Sequence, residues 1–103
     1  MANFEVDAEQ RSGEVLIRLS GDLTSLRSMR LTSAQSNGNR NVRIDLRGLK
    51  FIDSSGIRLL LKAYERAQSN GHELCIIRGS ERIQRVFALS DLDGRLPFCD
   101  DET

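Results

Sequence analysis

Phe51-Ile52-Asp53-Ser54-Ser55-Gly56-Ile57-Arg58-Leu59-Leu60-Leu61 is the stretch around which the chain is organised. It follows Asn41-Val42-Arg43-Ile44-Asp45-Leu46, where apolar and polar residues alternate as on a half-buried strand. It opens a segment in which Ile57, Leu60, Leu61, Tyr64 and Ala67 recur at helical spacing. Asp53-Ser54-Ser55 therefore stands at a strand-to-helix junction, where free backbone N–H groups and the positive end of the helix dipole favour a carboxylate, a hydroxyl or a phosphate. Two readings follow. Asp and Ser are preferred N-caps and glycine permits a tight entry turn, so the tip can simply start the helix. Alternatively, two hydroxyls beside a carboxylate form an exposed polar site.

Towards the N-terminus, Phe4-Glu5-Val6-Asp7-Ala8-Glu9 alternates, Arg11-Ser12-Gly13 reads as a turn and Val15-Leu16-Ile17-Arg18-Leu19 follows. These predict an antiparallel hairpin, with the second strand central and covered on both faces. Ser20 to Ser25 reads as a turn, and Leu26, Met29, Leu31 and Ala34 give a weak pattern for a short first helix. Val42 to Leu46 is the third strand, and Arg47-Gly48-Leu49-Lys50 is a link. The main helix is predicted over Ser54–Ser69, stopped by Asn70-Gly71, both tolerant of left-handed backbone. Glu73 to Arg78 is nearly continuous in apolar residues, as in a buried parallel strand. Gly79-Ser80 turns into a third helix, capped by Ser80, with Ile83, Val86, Phe87 and Leu89–Leu92 as its apolar face and Asp93-Gly94 as its end. Arg95-Leu96-Pro97-Phe98 adds an edge strand, where proline is tolerated. Asp100 to Thr103 is a frayed acidic tail. The expected fold is α/β: one domain over 1–103, with a mixed four- to five-stranded sheet, right-handed crossovers and helices mainly on one face.

The totals narrow the function. With 103 residues the chain buries a single modest core. Its 15 basic and 15 acidic residues balance, so no bulk attraction to nucleic acid or anionic membrane is expected. No apolar run reaches membrane-helix length, and the N-terminus lacks the pattern of a secretory signal. Cys75 and Cys99 have no metal-ligand spacing and are expected as reduced intracellular thiols rather than a staple. Walker-type and Gly-x-Gly-x-x-Gly loops are absent from the sequence. The sole histidine, His72, falls in a turn and is expected to be solvated, so a Ser–His pair has little support. Asp22, Asp45 and Asp53 are a weak candidate metal cluster without His or Cys partners; no metal and no cofactor are expected. Arg58, Lys62 and Arg66, spaced four apart, form a basic ridge beside the main helix's apolar stripe, and Arg82 and Arg85 add charge on the third. Such a ridge is either a solvated face or a docking edge for an acidic surface.

Asp45-Leu46-Arg47-Gly48-Leu49-Lys50-Phe51-Ile52-Asp53-Ser54-Ser55-Gly56-Ile57 resembles the signature of the STAS domain, and more narrowly that of bacterial anti-sigma factor antagonists. Leu19-Ser20-Gly21-Asp22-Leu23 resembles the family's turn after the second strand, with Thr24 where a second Asp is usual. Asn70-Gly71 before a strand and Ile83 to Leu92 agree in order and spacing, so the resemblance covers nearly the whole chain. It implies a cytoplasmic switch protein in stress-responsive transcription rather than an enzyme. Ser54 would be phosphorylated by a GHKL-type anti-sigma factor serine kinase. The unphosphorylated form would bind that kinase and free the sigma factor, and a PP2C-type phosphatase would restore it. The expected partner surface comprises Asp22, Thr24, Asp53, Ser54, Ser55, Gly56, Ile57, Arg58 and Lys62, with no direct contact to nucleic acid or membrane. The alternative is a STAS regulatory or scaffold subunit of a stressosome or transporter, without a phosphoryl cycle, in which Ser54 only caps the helix.

Overall fold

A computed structural model describes residues 4–24, 41–92 and 94–100. The predicted first helix between Leu26 and Ala34 and the tail beyond Asp100 lie outside the described residues. Strands β1 (Phe4–Arg11), β2 (Glu14–Leu23), β3 (Asn41–Ile52), β4 (Leu74–Ile77) and β5 (Phe98–Cys99) form one mixed sheet in sequence order. β1 is antiparallel to β2, across a turn in which Gly13 takes φ 78°, and the other neighbours are parallel. Helix α1 (Ser54–Ser69) connects β3 to β4, and α2 (Glu81–Leu89) connects β4 to β5.

Both helices cover one face. Ile17, Leu19, Ile44, Leu46, Leu74 and Ile76 share that face and pack in one cluster with Ile57, Leu60, Ala63 and Ala67 of α1 and Ile83 and Phe87 of α2. Strand alternation sends Leu16, Asp45 and Ile77 to the opposite face, where they are nonetheless buried. β2 is therefore an interior strand covered on both sides, as its apolar run predicts.

The helix bounds follow their caps. Asn70 ends α1 with ordinary negative φ, and only Gly71, at φ 75°, is left-handed. The Gly71 N–H then reaches the Gln68 carbonyl and the His72 N–H the Ala67 carbonyl at 2.8 Å, a paired helix stop. Ser80 caps α2, its hydroxyl accepting from the Ile83 N–H at 3.3 Å.

Three expectations need correction. Ser20–Leu23 and Arg47–Ile52 are strand, not turn and link. Two irregularities each insert one extra residue into β3 against β2: Arg18 faces Asp45 but Ser20 faces Gly48, and Gly21 faces Leu49 but Asp22 faces Phe51. Each insertion shifts the alternation, so Leu46, Leu49 and Ile52 are the buried positions. A Cβ on Gly48 would lie 2.9 Å from the Leu19 carbonyl oxygen, so glycine admits β2 here. Second, Leu89 ends α2 81% exposed; the helix turns its inner face to Ile83 and Phe87, and Leu92 re-enters the core only after a turn with Asp91 at φ 59°. Third, Cys75 and Cys99 are joined as a disulfide. β5 runs parallel to β4 with Cys99 beside Ile77, which brings the cysteine Cα atoms to 6.0 Å. β5 itself begins at Phe98, one residue past Pro97, which has no N–H to donate to a ladder.

Candidate functional site

The site forms where β2 and β3 end together. Leu23 pairs with Ile52, and the Asp53 N–H still donates to the Leu23 carbonyl at 3.3 Å. Asp53 is extended and forms the N-cap of α1: its Oδ1 accepts from the Gly56 N–H at 3.0 Å, and its carbonyl accepts the first helical bond, from the Ile57 N–H at 3.0 Å. The cap therefore belongs to Asp53. Ser54 is the first helical residue, exposed, and no hydrogen bond engages its hydroxyl among the described residues. Ser55 is half-buried beside it. The serine needs no capping partner, so its oxygen is free for chemistry at the positive end of a 16-residue helix.

Gly56 and Ile57, expected at the partner surface, face inward. A Cβ on Gly56 would stand 2.8 Å from both the Leu23 carbonyl oxygen and the Ile52 Cγ1, so the missing side chain admits the strand ends rather than a partner backbone. Ile57 is buried in the core cluster. Asp22 and Thr24, half-buried at the end of β2, flank the tip through the Leu23–Ile52 pairing. Arg58 and Lys62 are exposed, as is Arg66 a turn beyond, so the ridge runs along the outer side of α1. Ser54 and Arg58 are four residues apart on that helix and share a face.

Phe51 received no role from the sequence, yet it is 51% exposed directly across from Asp22. Simple alternation from Leu49 would have put it in the core; the extra residue Lys50 turns it outward, and this irregularity has no signature in residue order alone. The aspartates do not converge: Asp45 is 5% exposed and binds its own neighbour, Oδ1 accepting from the Arg47 backbone N–H at 2.9 Å and Oδ2 from a guanidinium N–H at 2.9 Å. Among the described residues no group of His, Cys, Asp and Glu is placed to hold a metal ion. His72 is half-buried rather than solvated, and its Nε2 lacks a hydrogen-bond partner there. Among the described residues no helix is long and apolar enough to cross a membrane.

With this geometry in place, comparison with known proteins gives the family. Residues 6–98 match the family model described as "Mlab, STAS domain", and the chain belongs to the STAS-domain family. It is 27% identical over 105 residues to an anti-sigma F factor antagonist of Paenibacillus polymyxa, covering 97% of this chain and 90% of that protein. An anti-sigma factor antagonist of Mycobacterium paratuberculosis shares the fold at TM-score 0.83 and 17% identity, over 97% of this chain and 88% of that one. So does SpoIIAA in its unphosphorylated form, at TM-score 0.71 and 22% identity, over 97% and 90%. The phosphorylated form of SpoIIAA, from Bacillus, is similar at TM-score 0.64 and 22% identity, over 97% and 94%.

Proposed function

We propose that the chain is an anti-sigma factor antagonist switched by phosphorylation of Ser54. The observation that carries this reading is the division of labour at the tip: Asp53 caps the helix, and the neighbouring serine is left exposed with an unengaged hydroxyl. In the unphosphorylated state the tip, flanked by Asp22, Thr24, Ser55, Phe51, Arg58 and Lys62, docks on an anti-sigma factor that is also a GHKL-type serine kinase. The docked partner releases its sigma factor in the cytoplasm.

Phosphorylation acts on the partner rather than on the fold. A phosphoryl group adds about −1.5 to −2 charge at a helix N-terminus. Within this chain the dipole and the nearby Arg58 accommodate it. A partner surface packed against the bare tip meets new bulk and a charge that must shed water on docking. Every 1.4 kcal/mol of that penalty weakens binding about tenfold, so a few kcal/mol turn the complex off. A PP2C-type phosphatase reverses the step. Titration calorimetry with the anti-sigma partner tests this: Ser54→Ala should bind within a few-fold of the unmodified chain, and Ser54→Asp about tenfold more weakly or worse. Equal effects of the two substitutions would contradict the switch.

A second reading is a STAS regulatory or scaffold subunit that binds a larger assembly, such as a transporter, without a phosphoryl cycle; the matched family model is described by the STAS domain and is compatible with either reading. It differs in outcome: Ser54→Ala and Ser54→Asp would then join the assembly alike.

A further inference from the structure

β5 is two residues long and lies at the edge of the described sheet. It pairs in parallel with β4, Ile76 beside Phe98 and Ile77 beside Cys99, and the ladder is flanked by the Ile76 N–H donating to the Pro97 carbonyl at 2.9 Å and the Arg78 N–H donating to the Cys99 carbonyl at 3.1 Å. Phe98 adds an edge-to-face contact with Phe87, ring centres 5.1 Å apart, and lies under the Arg78 guanidinium. The Arg78–Asp100 ion pair is well exposed and contributes little. So short an edge strand sits at the low end of local stability. The Cys75–Cys99 bond closes a segment with sequence separation 24 that contains all of α2. The 6.0 Å between the Cα atoms lies within the usual range for a bridge. Both cysteines are half-buried rather than sealed in the core, and a small reagent can reach them.

We propose that Cys75 and Cys99 form a reversible thiol–disulfide modification site that clamps β5, and with it the end of the α2 segment, to β4. The oxidant is a small disulfide such as oxidised glutathione. One cysteine thiolate attacks a glutathione sulfur and expels a glutathione thiolate. The other cysteine thiolate then attacks the protein sulfur of the mixed disulfide and expels the second glutathione. Two protein thiols lose two protons and two electrons, and one glutathione disulfide becomes two glutathione thiols; a dithiol reductant runs the exchange backwards. In the oxidised chain β5 stays docked. In the reduced chain it rests on this short backbone ladder and the Phe98 contacts, opens locally and uncovers the edge of β4.

This site is independent of Ser54, and its test is separate. Amide hydrogen exchange is measured on the folded chain equilibrated with oxidised glutathione or with dithiothreitol, with the thiol state read by mass. The expected result is a disulfide in the first buffer and two thiols in the second. The Ile76 and Arg78 amides should exchange about tenfold faster or more after reduction, while Val42, which donates to the Glu73 carbonyl at 2.9 Å, changes little. Cys75→Ser and Cys99→Ser should each match the reduced chain in both buffers. Failure of the disulfide to form, failure of dithiothreitol to reduce it without unfolding, or parallel changes at Ile76, Arg78 and Val42 would each overturn the proposal.

Discussion

Asp53 and Gly56 fix the tip so that Ser54 does not have to. Removing the cap in Asp53→Ala should lower stability by about 1 kcal/mol, measured by chemical denaturation, because the Gly56 N–H loses its acceptor. Gly56→Ala should lower it by about 1–3 kcal/mol, since the new methyl meets the Leu23 backbone carbonyl, which cannot swing aside as a side chain would. Ser54→Ala should leave stability nearly unchanged, and a loss as large as that of Asp53→Ala would return the cap to the serine. The residue types at the tip were legible in the sequence, and so was the choice between cap and site. Which residue capped was not, because Asp and Ser are equally good N-caps and only backbone conformation separates them.

At the scale of the element, α1 was readable to its last residue because the signals agree: capping residue types at Asp53 and Ser54, a four-residue apolar spacing and a glycine placed for the left-handed stop. Leu60, fully buried at the middle of its inner face, should cost about 2–5 kcal/mol when replaced by alanine, seen as a fall in the denaturation midpoint at unchanged slope. β3 was only half legible. Its buried residues after Leu46 recur every third position, a spacing that belongs to neither strand nor helix and arises from its two irregularities. Leu89 shows the opposite limit: apolar identity at a helix end predicts a core position, yet the side chain is exposed. The hairpin carries a pH dependence. Hydrogen bonds from Arg11 and then Arg18 hold the Glu9 carboxyl below its ordinary value of 4.5. A depressed carboxylate stabilises the fold above the unfolded value, and that stabilisation fades as pH falls through the lower folded value. Glu9→Gln should therefore be slightly less stable than the parent at about pH 7, and the difference should shrink as the pH is lowered below the ordinary carboxylate value and through the depressed folded one, as followed by urea denaturation along that series. A difference that persists in acid would remove the ion pairs as its cause.

At the scale of the molecule, the sheet delivers the C-terminal ends of β2 and β3 to one edge, and α1 starts there with its positive end outward. The expected parallel pairing of consecutive strands made that arrangement legible, since parallel neighbours end at the same edge. An edge strand near Phe98 was legible too, but its shift to Phe98–Cys99 and its tie to Cys75 were not, because two isolated cysteines carry no register until the strands are paired. A balanced net charge and a helix-start site suit a protein whose affinity is set by one added charge rather than by a broad field. The most direct measurement is to incubate the chain with the proposed anti-sigma factor kinase and ATP, map the phosphate by mass spectrometry and measure binding of the product to that partner. The account predicts phosphate on Ser54 and loss of the complex. A stable complex that forms while Ser54 stays unmodified, or one that survives its phosphorylation, would contradict it.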